Sequence, residues 1–143
     1  MPTFDALSVG DRFSSGTRMI DEDTLRATIG LGGYVHRIFT DPEFVARTPM
    51  GRTPLPGEAV LLIIGGLAEQ TGRFDDTTIA LVGFDQVRFV APVFAGDDIR
   101  LDVEVTGKEP SRATGVLVMQ WTCIGSDGSV RCEAVARMLF RTV

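Results

Sequence analysis

The apolar segment from Glu58 to Thr71 constrains the fold more than any other part of the chain. Its charged residues, Glu58 and Glu69, stand near its two ends. A helix of this composition is stable when protein surrounds it on nearly all sides, and the run Ala59–Ala68 is about half of what a membrane-spanning helix needs. Two strands are the alternative, but no turn residues divide the segment, and Gly65-Gly66 suits a helix that a sheet approaches closely. We therefore predict a buried central helix over 58–71.

The sequence after this helix is typical of β-strands. Runs of β-branched or alternating apolar residues are separated by Gly-Asp, Glu-Pro and Gly-Ser-Asp-Gly turn signals. The predicted strands are Ile79–Phe84, Gln86–Phe89, Ile99–Val105, Gly115–Ile124 and Val130–Phe140. The turn at 125–128 joins the last two as a hairpin. One apolar helix followed by antiparallel strands indicates an α+β fold over residues 1–143, a single domain in which a sheet wraps one long helix.

Two short helices are predicted before the central one. Asp21 is the candidate cap of the first helix, and a glycine run ends it. A loop with the single histidine, His36, follows. The second helix begins with Thr40 or Asp41 as its cap. The Pro- and Gly-rich segment 47–57 is then predicted to be an irregular loop that leads into the central helix.

Charge and composition exclude several classes of function. With 14 basic and 19 acidic residues the net charge is −5, which offers no electrostatic footprint for nucleic acid or for an anionic membrane. No N-terminal segment combines a basic start with an apolar stretch, so we expect a cytoplasmic protein. Cys123 and Cys132 have no histidine near them and are expected to be plain reduced residues rather than metal ligands.

A resemblance to a known family rests on several motifs in this order along the chain. The stretch 84–97, Phe-Asp-Gln-Val-Arg-Phe-Val-Ala-Pro-Val-Phe-Ala-Gly-Asp, is similar to the signature of MaoC-like hot-dog proteins, in which an Arg-Phe strand precedes Pro-Val and a Gly-Asp turn. Several further segments are similar to the active-site half of the same family: His36, Thr40–Phe44, Thr48–Gly51 and Pro56–Gly57. The segment Val9–Phe13 is similar to the N-terminal start of the family's sequences. The resemblance implies a hot-dog fold, an antiparallel sheet wrapped around one central helix.

The same resemblance implies (R)-specific enoyl-CoA hydratase or dehydratase chemistry on acyl thioesters. In that family an Asp and a His in one loop hold water and move a proton, and a backbone N–H at the start of the central helix binds the thioester oxygen. Hydration of an α,β-unsaturated thioester places negative charge on that oxygen, so donors at the positive helix end stabilise it while a base activates water. The resemblance makes His36 the proton-transfer residue.

The family loop, Gly-Asp-x-Asn-Pro-x-His, falls on Gly30–His36 and departs from the pattern. Leu31 stands where the catalytic Asp belongs, Gly33 where the Asn belongs and Tyr34 where the Pro belongs. Leucine cannot accept a proton, and loss of a general base typically removes a factor of about a hundred to ten thousand in rate. The resemblance therefore supports the fold more strongly than it supports the activity.

The start of the central helix supplies the candidate oxyanion donors. Pro56 has no N–H, so the amides of Gly57 and Glu58 are the donors that the positive helix end presents. The carboxylate of Glu58 either faces substrate or complements the helix dipole.

Four further residues are candidates for substrate binding. Tyr34 is either a hydroxyl donor near His36 or a packed aromatic. Asp41 is either a polar partner of the substrate or a helix cap. Arg52 and Arg88 are candidate contacts to the phosphates of coenzyme A, or ordinary surface arginines.

Three functions remain open on the sequence. The first is the hydratase or dehydratase with His36, the second is a hot-dog thioesterase that uses Glu58, and the third is a catalytically silent subunit that binds acyl thioester. No metal or redox cofactor is expected. Coenzyme A or an acyl carrier is expected as part of the substrate. A single hot-dog leaves one sheet edge unpaired, so a homodimer or higher oligomer is expected, with the acyl tunnel at its junction.

Overall fold

The computed structural model describes residues 4, 6–74 and 76–142. In chain order the elements are β1 Arg12–Ser14, β2 Arg18–Met19, α1 Glu22–Gly32, α2 Arg37–Thr40, α3 Pro42–Ala46, α4 Gly57–Gln70, β3 Thr78–Phe89, β4 Asp98–Pro110, β5 Thr114–Gly125 and β6 Val130–Arg141. The strands form one antiparallel sheet in the order β1-β4-β5-β6-β3, and β2 also pairs with β4. The sheet wraps α4, which confirms the predicted hot-dog architecture.

Helix α4 lies within one residue of its predicted bounds at either end. Its inner side joins the core that lines the sheet, through Ala59, Val60, Ile63, Ile64, Leu67 and Ala68. Its outer side is open, since Leu62 is 61% exposed and Glu58, Gly66 and Glu69 are exposed as well. The prediction that protein surrounds the helix on nearly all sides is wrong for the single chain, because the sheet ends at its edge strand β3 before it reaches the outer side.

The long strands β4, β5 and β6 present every second residue to α4. In β4 the buried positions are Ile99, Leu101, Val103 and Val105, which is the alternation expected of a sheet with one face in the core. The turn after Gly125 joins β5 to β6, with a bond from the Gly125 amide to the Ser129 carbonyl at 2.9 Å. The predicted hairpin is confirmed.

The edge strand β3 differs from its prediction. The sequence favours two strands, 79–84 and 86–89, whereas the structure has one continuous strand paired with β6. Its register shifts three times, and Gln86, in the last shift, has a φ of 51°. A bulge of this kind accommodates an extra residue without ending the strand, which a propensity pattern does not reveal.

The segment before α4 largely follows its predicted capping chemistry. The Asp21 carboxylate accepts from the Thr24 amide at 2.7 Å, and α1 ends at Gly33, whose φ of 71° suits glycine. Asp41 caps α3 and accepts from the Phe44 amide at 3.1 Å. The one-turn helix α2 is not predicted, since the sequence favours a loop at 37–40.

Cys123 and Cys132 face each other across β5 and β6 as buried free thiols. Burial raises the pKa of Cys123 to about 12 and that of Cys132 to about 11. Over residues 4, 6–74 and 76–142, no helix is long and apolar enough to cross a membrane, and no three acidic, His or Cys side chains are grouped as metal ligands.

Candidate active site

The first turn of α4 has an unsatisfied backbone donor. The amides of Ala59 and Val60 both donate to the Pro56 carbonyl, at 2.9 and 3.1 Å. Among the described residues, the Gly57 amide has no hydrogen-bond partner. A free N–H at the positive end of a 14-residue helix favours a ligand oxygen that carries negative charge.

Two cavities meet at this helix start, and Glu58 lines both. The first, which we name the loop cavity, has a volume of about 330 Å³ and lies between the start of α4, α2 and the segment after β3. Its walls include Ile38, Phe39, Met50, Gly57, Glu58, Phe89 and Arg131. The second, the apolar cavity, has a volume of about 500 Å³ and follows the outer side of α4. Its walls include Glu58, Leu61, Leu62, Gly66, Leu81, Phe84, Trp121 and Met138.

The Glu58 carboxylate is tied to the loop that follows α1. The Tyr34 hydroxyl donates to Glu58 Oε2 at 2.5 Å, and the Tyr34 ring packs against Phe39 with ring centres 5.1 Å apart. The hydrogen bond from Tyr34 lowers the pKa of Glu58, and the same bond raises the pKa of Tyr34. The sequence names both residues as candidates, and the structure brings them into contact.

An aromatic ring lies close against Gly57. A Cβ at this position would lie 3.0 Å from the ring of Phe89, which is tighter than ordinary packing. The space beside Gly57 is therefore partly filled by the ring of Phe89, which is 49% exposed. The sequence places Phe89 in the family signature without indicating this contact.

His36 lies at the surface at the start of α2. Its Nδ1 accepts a hydrogen bond from the Ile38 amide at 3.1 Å, and its ring centre is 6.4 Å from that of Phe44. A ring nitrogen that accepts carries no proton, so neutral His36 carries its proton on Nε2. His36 lines neither the loop cavity nor the apolar cavity, although Ile38 and Phe39 beside it line the first.

The positions that depart from the family loop bring no carboxylate to this histidine. Leu31 is 83% exposed on the last turn of α1. Asp41 is engaged as a helix cap, and its other oxygen accepts from Arg37 at 3.2 Å. The backbone bond from Phe44, followed by the bond from Arg37, lowers the pKa of Asp41. The structure therefore gives Asp41 the capping role that the sequence left as one of two readings.

The two candidate phosphate contacts lie apart from the start of α4. Arg52 stacks over the Phe94 ring at 4.2 Å and lines a third cavity of about 410 Å³, which Arg26 also lines. Arg88 is exposed on β3, where its register partner is Glu133. Neither arginine lines the loop cavity or the apolar cavity.

A largely buried arginine that lines the loop cavity, Arg131, was not a sequence candidate. The Arg131 side chain is 11% exposed and donates to the Pro92 carbonyl at 2.8 Å and to Asp97 at 3.1 Å. It also donates to Ser129 at 3.1 Å and to Asp127 at 3.3 Å. These bonds fix the segment after β3 against the β5–β6 turn, so this wall of the cavity is rigid. The available signal was an arginine three positions after the Gly-Ser-Asp-Gly turn.

Comparison with known proteins identifies the family. The profile of the MaoC like domain matches residues 23–122, which include the His36 loop, α4, β3, β4 and most of β5. The chain belongs to the MaoC-like domain family. A 3-hydroxyacyl-thioester dehydratase Z of Mycobacterium tuberculosis is 30% identical to this MaoC-like domain over 107 residues, which are 74% of this chain and 71% of the relative.

Solved structures agree with this assignment. A monoamine oxidase regulatory protein from Archaeoglobus fulgidus superimposes with a TM-score of 0.92 at 27% identity, over 99% of the MaoC-like domain and 96% of the other chain. An unliganded (R)-hydratase from Pseudomonas aeruginosa superimposes with a TM-score of 0.79 at 22% identity, over 99% and 90% of the two chains. At that identity the second likeness shows the fold alone.

Proposed function

We propose that this MaoC-like domain is a hydratase or dehydratase that interconverts enoyl and 3-hydroxyacyl thioesters, with His36 as a proton-transfer residue. The observation that carries the proposal is the free Gly57 amide, which lies at the positive end of α4 where the loop cavity meets the apolar cavity. The dehydratase activity named for the M. tuberculosis relative supports the same chemistry.

The geometry suits the charge that develops in this reaction. Adding or removing water next to a thioester puts negative charge on its carbonyl oxygen, and a donor fixed in advance stabilises that charge without reorganisation. Gly57 supplies such a donor, and most of the cavity wall around it is apolar, which strengthens the interaction relative to bulk water. The apolar cavity along α4 offers room for the acyl chain.

In its neutral form, His36 presents an N–H group to a ligand rather than a ring nitrogen without a proton. Its Nδ1 is held by the Ile38 amide, so the Nε2–H is the group that assists proton transfer by donating a hydrogen bond to the hydroxyl of a 3-hydroxyacyl substrate. Water addition and removal change no oxidation state, so the reaction requires no redox cofactor. Coenzyme A or an acyl carrier enters as part of the substrate, with Arg52 and Arg88 as candidate phosphate contacts.

A homodimer or higher oligomer completes the proposal. Within the described part of the chain, the edge strand β3 is unpaired on its outer side, and it carries the exposed apolar residues Ile79, Leu81, Val82, Val87 and Phe89, with exposed Val90 directly after it. Apolar residues on an open edge favour pairing with another copy. Since Leu81 and Phe89 line the two cavities, a second copy on this edge closes one wall of each. The cytoplasmic location expected from the sequence stays a prediction.

A thioesterase is the second candidate, and the position of Glu58 favours it. Glu58 is the carboxylate shared by both cavities, and a carboxylate beside the carbonyl carbon can serve as the nucleophile or general base of thioester hydrolysis. Against it, one oxygen of Glu58 is engaged by Tyr34. The exposed Leu31 in place of the family Asp keeps the silent thioester-binding subunit as the third outcome of the same test.

One experiment separates these functions. The protein is incubated with crotonyl-CoA and, separately, with saturated acyl-CoAs, while the enoyl absorbance and the release of free thiol are followed independently. We expect loss of enoyl absorbance without thiol release. Thiol release assigns the thioesterase, and binding without either reaction assigns the silent subunit. A His36→Ala variant that hydrates crotonyl-CoA at the wild-type rate contradicts the role given to His36.

A further inference from the structure

The reaction needs a carboxylate that the family loop no longer supplies. Leu31 cannot accept a proton, and both oxygens of Asp41 are occupied by the Phe44 amide and by Arg37. Two acids line the described cavities beside α4, namely Glu58 at the start of the helix and Glu69 near its end. Glu58 alone of these two adjoins Gly57, where the thioester oxygen is proposed to bind.

We propose that Glu58 is the catalytic carboxylate that removes the proton from Cα of a 3-hydroxyacyl thioester, and that Tyr34 positions it. This inference rests on the proposed hydratase or dehydratase function. It transfers the acid–base role from the His36 loop to the first turn of α4, which lies in the wall of both cavities.

The step balances without another reactant. Glu58 takes the Cα proton, and the electron pair of the C–H bond moves into the thioester as an enolate whose oxygen faces the Gly57 amide. The electron pair then forms the Cα–Cβ double bond as the Cβ–O bond breaks. The departing hydroxyl accepts a hydrogen bond from the Nε2–H of His36, takes the proton that Glu58 carries and leaves as water. Glu58 is thereby returned to its carboxylate form, His36 keeps its single ring proton, and hydration is the reverse sequence.

Tyr34 is held in place on two sides. Its ring lies so close to the Gly32 backbone that a Cβ there would overlap it, and Phe39 packs against the ring at a centre distance of 5.1 Å. The fixed hydroxyl donates to Oε2 of Glu58, and no other side chain among the described residues donates to this carboxylate. A carboxylate oriented through one oxygen retains the other for substrate.

The hydrogen bond also favours the charged form of the carboxylate. It lowers the pKa of Glu58 below its ordinary value, at which a glutamate is already ionised at neutral pH. A rate that needs the carboxylate is lost as pH falls through its pKa. Removal of the Tyr34 hydroxyl raises that pKa, so the acidic limb of the pH–rate profile moves to higher pH.

The competing explanation is that the hydrogen bond between Tyr34 and Glu58 only joins the loop after α1 to α4 and has no catalytic role. Glu58→Gln separates the two, because the amide oxygen of Gln still accepts from Tyr34 while the side chain no longer takes a proton. Tyr34→Phe keeps the ring packing and the carboxylate but removes the hydrogen bond. Glu43→Gln is the matched control, since Glu43 also stands in the first turn of a helix but lines neither cavity beside α4.

The variants are measured as the full chain with (R)-3-hydroxybutyryl-CoA and crotonyl-CoA. We expect Glu58→Gln to lower kcat by about a hundred- to ten-thousand-fold with KM nearly unchanged. Tyr34→Phe should lower kcat less and shift the acidic limb to higher pH, and Glu43→Gln should match the wild type. Circular dichroism and thermal unfolding check that each variant folds.

The outcomes distinguish this inference from the proposed function. If the wild type converts the substrates and Glu58→Gln does so equally fast, the role of Glu58 is overturned while the hydratase stands. If Tyr34→Phe leaves the acidic limb in place, the positioning role is overturned. If the wild type converts neither substrate, both the function and the inference fail.

Discussion

The two sides of α4 both carry large apolar residues but meet different surroundings. Ile64 on the inner side is fully buried against the sheet, whereas Leu62, two residues earlier, is 61% exposed. On the inner side the helix belongs to the core, and on the outer side it lines the apolar cavity with Leu62 and Gly66. An apolar helix in this fold therefore serves stability on one side and leaves the other for ligand or for a second copy of the chain.

The largest expected effect comes from the inner side. Ile64→Ala removes a fully buried side chain from the core, so the free energy of unfolding should fall by about 2–5 kcal/mol, measured by urea denaturation. Leu62→Ala is the matched control on the outer side and should change it by about 0.5 kcal/mol or less. Equal losses in both variants contradict the comparison and place Leu62 in a covered surface.

An intermediate effect is expected from a charge on the outer side. If a second copy covers this side together with β3, Leu62→Glu buries an unpaired carboxylate and should weaken self-association on the order of tenfold or more. Analytical ultracentrifugation over a dilution series measures this change. An unchanged association constant means that the oligomer leaves the outer side of α4 open.

The smallest effect is expected at a glycine of the outer side. A Cβ on Gly66 meets nothing within 4 Å in the chain, so Gly66→Ala should raise the free energy of unfolding by about 1 kcal/mol through helix propensity. The measurement is thermal unfolding at several protein concentrations. A loss of stability that depends on concentration instead places a partner against Gly66 and sharpens the description of the interface.

Local sequence patterns predicted much of the fold. The bounds of α4 hold to within one residue because a long apolar run without turn residues has few alternatives. The caps at Asp21 and Asp41 follow from side chains that reach amides three residues away. The hairpin after Gly125 follows from turn chemistry. Each of these features depends on residues close together in the chain.

The candidate site was predicted as separate residues rather than as an arrangement. Tyr34 and Glu58 were both candidates, but 24 positions separate them, and no local pattern indicates that they touch. The contact of Phe89 with Gly57 and the largely buried position of Arg131 also depend on residues that lie far apart in the chain. His36 was expected beside substrate, and the structure shows it as a cap of the unpredicted helix α2.

The sequence by itself determined that a long apolar helix precedes a set of antiparallel strands, since hydrophobic period and turn residues act over a few positions. Tertiary structure decided which side of α4 the sheet covers, where β3 bulges at Gln86, and which carboxylate adjoins Gly57. Those outcomes depend on how a curved sheet closes around the helix. That closure is a property of contacts between distant residues, which no local window of the sequence contains.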